Sequence, residues 1–302
     1  IWIVYLVLTF GCVVSFSVAG MGLFDSVNYS MGITATGGFS THNTSMAYFH
    51  SPTLEYIGAF FCFASGVNFT LLYMSAIKRD IKSLFTNAEF IFYSLLVAGS
   101  TAFIAWQLID KNHYAIEHAF RSSLFQVVSF ITTTGLFSDD AATWPHITWV
   151  VLAFCMFFGA CSGSTSGGIK CIRGVMITKV ISNQFKQILH PNAVLPLKED
   201  GANVEIRQRV TLLAFLAIYL MLIVIASFMF IAMGIDNTNA ITIALSSLSN
   251  VGPSLGLQIG PTMSWSTLPA FAKWICSALM LIGRLEIFTV LVILTPEFWK
   301  RT

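Results

Sequence analysis

Ile131-Thr132-Thr133-Thr134-Gly135-Leu136 is a hydroxyl-rich stretch ending on glycine, set between apolar runs at 89 to 109 and 146 to 160. The segment that it closes, Ala115 to Gly135, is short and carries polar groups that lipid would not tolerate. Backbone that is neither helix nor closed barrel is allowed at membrane depth only where protein buries it or where it lines a wet cavity. The segment is therefore expected to enter and leave a bilayer on one side.

The same arrangement occurs twice more. Ser26 to Gly38 ends in Ile33-Thr34-Ala35-Thr36-Gly37-Gly38-Phe39-Ser40, and Asn239 to Gly252 ends in Leu248-Ser249-Asn250-Val251-Gly252-Pro253. A hydrocarbon core about 30 Å thick takes roughly 20 apolar residues to cross as a helix. Runs of that order lie at 1 to 19, 54 to 77, 89 to 109, 146 to 160 continuing into 169 to 182, 210 to 234, and 267 to 295. This internal repetition divides the chain into three helix, pore-loop, helix units, 1–85, 86–200 and 201–302. The expected fold is an all-α integral membrane protein with these units around a central pore.

Composition agrees. Of the 302 residues 56% are hydrophobic and 10% charged, against about a quarter charged in soluble domains. A net charge of +2, with no basic stretch interleaved with aromatics, argues against nucleic acid as a partner. Cys12, Cys62, Cys155, Cys161, Cys171 and Cys276 lie in apolar or glycine-rich stretches without metal-ligand spacing, and read as small core residues. The chain opens Ile1-Trp2-Ile3 within an apolar run, with neither the basic front nor the cleavage site of a signal peptide, and is expected to begin inside a longer chain.

Lys78, Arg79, Lys82, Lys170, Arg173, Lys179, Lys186, Lys198, Arg207, Arg209, Lys300 and Arg301 lie on the sides away from the re-entrant segments, which hold only Lys111 and Arg121. The excess of basic residues in cytoplasmic loops puts the re-entrant segments outward and both chain ends in the cytoplasm. The hydrophilic linker Leu189 to Glu205, with Pro191, Pro196, Lys198, Glu199, Asp200 and Gly201, is then cytoplasmic. It suits a soluble partner or a solvated connection equally.

Each short segment puts small or hydroxyl residues before a glycine. A potassium filter needs consecutive backbone carbonyls turned inward to replace the ion's hydration shell, and glycine permits the dihedrals that this demands. The negative end of the preceding short helix favours a cation without any carboxylate. These motifs resemble the filter loops of the Trk/Ktr/HKT superfamily, in which four non-identical helix, pore-loop, helix repeats surround one pore; three of the expected four are present here. The resemblance covers nearly the whole chain and implies potassium bound by backbone carbonyls at Thr34, Ala35, Thr36 and Gly37, at Thr132, Thr133, Thr134 and Gly135, and at Ser249, Asn250, Val251 and Gly252. Gly37, Gly135 and Gly252 are the filter glycines on this alignment. It makes the units the second to fourth repeats; glycine in all repeats goes with potassium selectivity, and serine in the first with sodium.

Gly159 to Lys170 interrupts what would otherwise be one helix from about 146 to 185, because glycine and serine at such density disfavour helix. A phosphate-binding loop is a poor fit, since Ile169 follows Gly168 where Lys and Ser/Thr would be needed. The resemblance makes Gly163, Ser164, Thr165, Ser166, Gly167, Gly168 and Lys170 an intramembrane gating loop beneath the filter. Such a segment has low local stability and moves at small cost. Arg284 lies in apolar sequence twelve residues before Pro296, about 18 Å along a straight helix at 1.5 Å per residue. A charge at that depth meets a partner or a wet cavity. Glu286 is too close in sequence to face it on a helix, and the resemblance puts Arg284 at the pore constriction, beside the loop.

Asp139 and Asp140, after the second filter, could concentrate cations at the mouth, whereas Asp25 and Asp236 suit helix N-termini. The six histidines, His42 among them, are scattered without HExxH spacing or a carboxylate pair in a span, so an enzyme is not expected. A secondary transporter of sodium or of a small solute, with a broken-helix site at the midplane, is the alternative; inverted repeats would alternate sides, and the charges here do not. The resemblance further implies a homodimer in the cell (inner or plasma) membrane, no cofactor besides the transported ion, and a cytosolic nucleotide-binding regulatory partner.

Overall fold

A computed structural model describes the chain apart from residues 78–80, 192–197, 200–201, 204–205, 257–259, 261–263, 286, 294 and 301–302. Lys78, Arg79 and Arg301 of the charge pattern, Pro196, Asp200, Gly201 and Glu205 of the linker, and Glu286 lie outside the described residues. The first unit contains α1 (Trp2–Val18), α2 (Leu23–Thr34), α3 (Pro52–Ser65), α4 (Phe69–Ile77) and α5 (Ile81–Thr86). The second contains α6 (Ala88–Asn112), α7 (Ile116–Ile131), α8 (His146–Phe158) and α9 (Cys171–Leu189). The third contains α10 (Ile206–Ala232), α11 (Asn237–Ser249), α12 (Ala270–Arg284), α13 (Ile287–Ile293) and α14 (Pro296–Trp299). A two-residue antiparallel ladder, Lys198–Glu199 with Ala202–Asn203, lies between the last two units.

The short helices α2, α7 and α11 start where acidic residues favour a helix N-terminus. Asp25 and Glu117 stand in the first turns of α2 and α7, and the Asp236 carboxylate caps α11 by accepting from the Thr238 amide at 3.1 Å. Each of these helices packs between two others of its own unit. α2 lies against α1 and α3, α7 against α6 and α8, and α11 against α10 and α12. Neighbouring units meet where α3 packs on α7 and α8 on α11.

Burial runs opposite to that of a water-soluble bundle. Ser122, Ser123, Gln126 and Ser129 of α7, and Ser246, Ser247 and Ser249 of α11, are buried. Trp2, Leu6 and Phe10 of α1 and Leu220, Val224 and Phe228 of α10 are exposed. A broad apolar exterior around hydroxyl-rich inner helices is what lipid as the outer solvent selects. α6 and α10 are long and apolar enough to cross a membrane, α1 and α8 are shorter apolar helices, and the pairs α3/α4 and α12/α13 would each pass together as a bent span. The six cysteines are free and buried.

Two runs that read as continuous are bent. The chain turns by 100° between α3 and α4 and by 113° between α12 and α13. At the first bend Gly66 is wedged so closely that a Cβ there would lie 2.6 Å from Tyr93 Oη and 2.7 Å from Thr132 Cγ2. Asn68 then starts α4, its side-chain oxygen accepting from the Thr70 amide at 2.9 Å. At the second bend a Cβ on Gly283 would lie 1.9 Å from the Leu248 carbonyl oxygen. Arg284 consequently stands at the C-terminal end of α12, and the expectation of a straight helical path from Pro296 does not hold.

Candidate ion-conduction site

The three short helices end in one repeated backbone conformation. Thr36, Thr133 and Asn250 are left-handed at φ 50°, 56° and 59°, and two residues later Gly38, Gly135 and Gly252 have φ of 66°, 77° and 101°. The hydrogen bonds repeat as well. Gly37 N donates to Gly32 O at 2.8 Å, Thr134 N to Ser129 O at 2.9 Å and Val251 N to Ser246 O at 3.0 Å. By this geometry Ala35-Thr36-Gly37-Gly38, Thr132-Thr133-Thr134-Gly135 and Ser249-Asn250-Val251-Gly252 are equivalent. In the second and third loops these stretches coincide with the residues that the resemblance names. In the first, Gly38 and not Gly37 occupies the place of Gly135 and Gly252, so the expected set Thr34 to Gly37 shifts by one residue.

In the first two loops glycine is required by a close approach between loops. A Cβ on Gly38 would lie 1.7 Å from the Thr134 carbonyl oxygen, and one on Gly135 would lie 2.1 Å from the Val251 carbonyl oxygen. The first and second loops thus each press a glycine against the carbonyl preceding the glycine of the next loop, as segments of a ring do, whereas a Cβ on Gly252 would meet nothing within 4 Å. The hydroxyls of the motif serve mainly as rivets. Thr34 Oγ1 donates to Ser30 O at 2.7 Å, Thr132 Oγ1 to Val128 O at 2.7 Å, and Ser249 Oγ pairs with buried Tyr219 Oη at 2.7 Å.

The break between α8 and α9 lies against the ends of all three short helices. Thr165 Oγ1 donates to Thr34 O at 3.0 Å, Gly167 N donates to Thr133 Oγ1 at 2.7 Å, and a Cβ on Gly167 would lie 2.4 Å from Ser249 O. Arg284 Nη1 donates to Thr165 O at 2.8 Å. Lys170 Nζ folds back on the Ser166 carbonyl and lies 3.2 Å from Ser166 Oγ. Gly163 sits against the Asn68 side chain, and its carbonyl accepts from the Phe69 amide at 3.3 Å, so the loop also touches the α3/α4 bend. On its other face the loop, with Lys170, Arg173, Phe215 and Arg284, lines a cavity of about 420 Å³. The Arg284 side chain is exposed to it.

Asp139 and Asp140 line a second cavity of about 490 Å³ together with Glu55, His118 and Arg121. Both aspartates have structural partners. Asp139 accepts from Trp144 Nε1 at 3.3 Å and Asp140 from the Ala142 amide at 3.1 Å. Arg121 of α7 lies 2.7 Å from Glu55 of α3 and 2.8 Å from Glu117, and the Arg121 and Glu55 side chains are almost wholly enclosed. His42 stacks on Tyr48 with ring centroids 3.6 Å apart and stays beside Asp25. Sequence reasoning missed Glu89 and the Glu55–Arg121 pair, which look like ordinary charges near helix starts. It also missed Asn68, whose place in an apolar run was itself the available signal.

Three re-entrant helix-and-loop units, enclosed by apolar helices and joined through their carbonyls, define a pore-loop membrane protein. The chain matches the family described as TrkH, cation transport protein, over residues 1–301, and it belongs to that family. It is 35% identical to the Trk system potassium uptake protein TrkH of Salmonella typhimurium over 99% of this chain and 62% of that protein. It is 32% identical to the Trk system potassium uptake protein TrkG of Escherichia coli over 99% of this chain and 61% of that protein. The crystal structure of the potassium transporter TrkH from Vibrio parahaemolyticus superposes with a TM-score of 0.91 at 36% identity, covering 99% of this chain and 64% of that one. The chain therefore spans about three fifths of the length of the relatives that it matches.

Proposed function

We propose that this chain supplies three units, 1–85, 86–200 and 201–302, of a potassium-conducting pore, with a fourth unit completing the ring beside Gly252. The observation that carries the reading is the repeated left-handed residue and glycine at the end of each short helix, with Gly38 against Thr134 O and Gly135 against Val251 O. Backbone carbonyls so ordered replace an ion's water shell, and the three helix C-termini add negative potential. Ala35 to Gly38, Thr132 to Gly135 and Ser249 to Gly252 hold the ion, and residues 163 to 170 with Arg284 gate it from beneath. The names of the relatives favour potassium over sodium or a small solute. Transport, rather than catalysis, is the role of the whole protein.

The assembly proposed is a homodimer in the inner or plasma membrane, with both ends of this chain cytoplasmic and a cytosolic nucleotide-binding regulator acting on the loop. Uptake by the complete protein in potassium-starved cells, repeated with sodium, tests the function. Saturable potassium uptake with little sodium uptake is expected, and strong sodium permeation overturns the selectivity assignment.

A further inference from the structure

Glu89, in the first turn of α6, is 5% exposed, yet it lies within a membrane-embedded helix bundle. Its Oε1 accepts from the Ser162 amide at 2.5 Å and from the Ile172 amide at 3.0 Å. Ser162 opens the glycine-serine loop, and Ile172 lies in the first turn of α9 just beyond it. One carboxylate oxygen therefore ties together both ends of the interruption. Backbone donors to a carboxylate are charge-assisted and roughly twice as strong as neutral pairs, and the positive end of α9 adds to the attraction. A buried carboxylate with this many donors is also hard to relocate, because leaving them exposes an unpaired charge.

We infer that Glu89 is a positioning residue that holds the intramembrane loop in its seat under the filter helices by clasping the loop's two ends. The glycines that let the loop bend do not specify one shape, and the clasp does. The residues inside it, from Gly163 to Lys170, can shift only within the reach left by two fixed ends, unless the clasp opens. Its effect on ion flux rests on the proposed gating role of the loop, but its effect on loop position does not.

Cys161 and Cys171 flank the loop, are buried and are free, so they report whether it has left its seat. In the complete protein reconstituted into vesicles, labelling of each by N-ethylmaleimide is followed by mass spectrometry, alongside potassium flux. Glu89→Ala is expected to speed labelling of both by about tenfold or more, while Cys12 in α1 keeps its wild-type rate. Glu89→Gln, which keeps an acceptor oxygen without the charge, is expected to give a rise of a few-fold. Wild-type labelling at Cys161 and Cys171 in Glu89→Ala overturns the inference. Where Glu89→Ala yields no folded protein, wild-type labelling in Glu89→Gln overturns it. Faster labelling with unchanged flux leaves the clasp standing and removes the gating role proposed for the loop.

Discussion

Adjacent glycines in the first loop give a test within two residues. Gly37 has no left-handed φ, and a Cβ added there meets the Phe39 ring at 3.4 Å, an ordinary contact. Gly38 has φ 66°, and a Cβ there lies 1.7 Å from Thr134 O, so one of the two must give way by about 1.3 Å to reach even 3.0 Å. Alanine in the left-handed region costs about 1–2 kcal/mol before any clash. The displaced carbonyl belongs to the proposed ion-binding row, where coordination depends on carbonyl placement. With each 1.4 kcal/mol worth a factor of ten, strain and lost coordination together set a fall of roughly a hundredfold or more. Potassium uptake by the complete protein is therefore expected to fall at least that far in Gly38→Ala, and to stay within about threefold of wild type in Gly37→Ala. Gly20→Ala serves as the control for strain alone, since Gly20 has φ 94° and nothing within 4 Å of an added Cβ. Equal uptake by the Gly37 and Gly38 variants would refute the register and the reasoning from carbonyl contact.

Two further outcomes follow from charged groups. Glu55→Ala leaves Arg121, almost wholly enclosed, with Glu117 as its remaining carboxylate partner, so the cost stays below the roughly 3–5 kcal/mol of a buried charge left uncompensated; thermal unfolding of the purified protein should show a lower midpoint, largely restored in Glu55→Leu with Arg121→Met, and an unchanged midpoint in the single variant excludes a structural pair. Arg284→Ala removes the donor to Thr165 O and one positive charge from the cavity beneath the loop; basal potassium flux should rise by roughly thirtyfold, the factor that a charged hydrogen bond of about 2 kcal/mol implies, and unchanged flux and selectivity would take Arg284 out of the gate.

The repeat was legible because its signal is local. Hydroxyls and a glycine interrupt apolar sequence, and lipid tolerates no such interruption without a protein wall around it. The bends were not legible, because their causes are contacts between distant residues. Residues 54 to 77 are mostly apolar, and Gly66 fits at the bend because Tyr93, Thr132 and Ala160 leave no room for a Cβ. The same limit explains the one-residue offset in the first loop. Gly37 and Gly38 are chemically identical, and only the carbonyl of a residue almost a hundred positions later, Thr134, separates them. Arg284 was conspicuous as a charge in apolar sequence, whereas Glu89 resembled any acid in a first helical turn. Its partners are backbone amides, which leave no mark in the sequence.

The loop's contacts make the proposed gate and the proposed filter one mechanical unit. Thr165 is bonded to the last residue of α2, Gly167 to the hydroxyl of Thr133, and Arg284 to Thr165 itself. Two neutral hydrogen bonds at about 1 kcal/mol and one charged bond at about 2 kcal/mol give about 4 kcal/mol holding the loop in place. A regulator can shift an equilibrium only by its difference in affinity between the two states. At 1.4 kcal/mol per factor of ten, it must bind the released form about a thousandfold more tightly to offset those bonds. The bonds end on Thr34 O and Thr133 Oγ1, one residue before the first loop's filter stretch and within that of the second. Releasing the loop therefore also removes partners from residues that set the filter's backbone, and opening should change selectivity as well as rate.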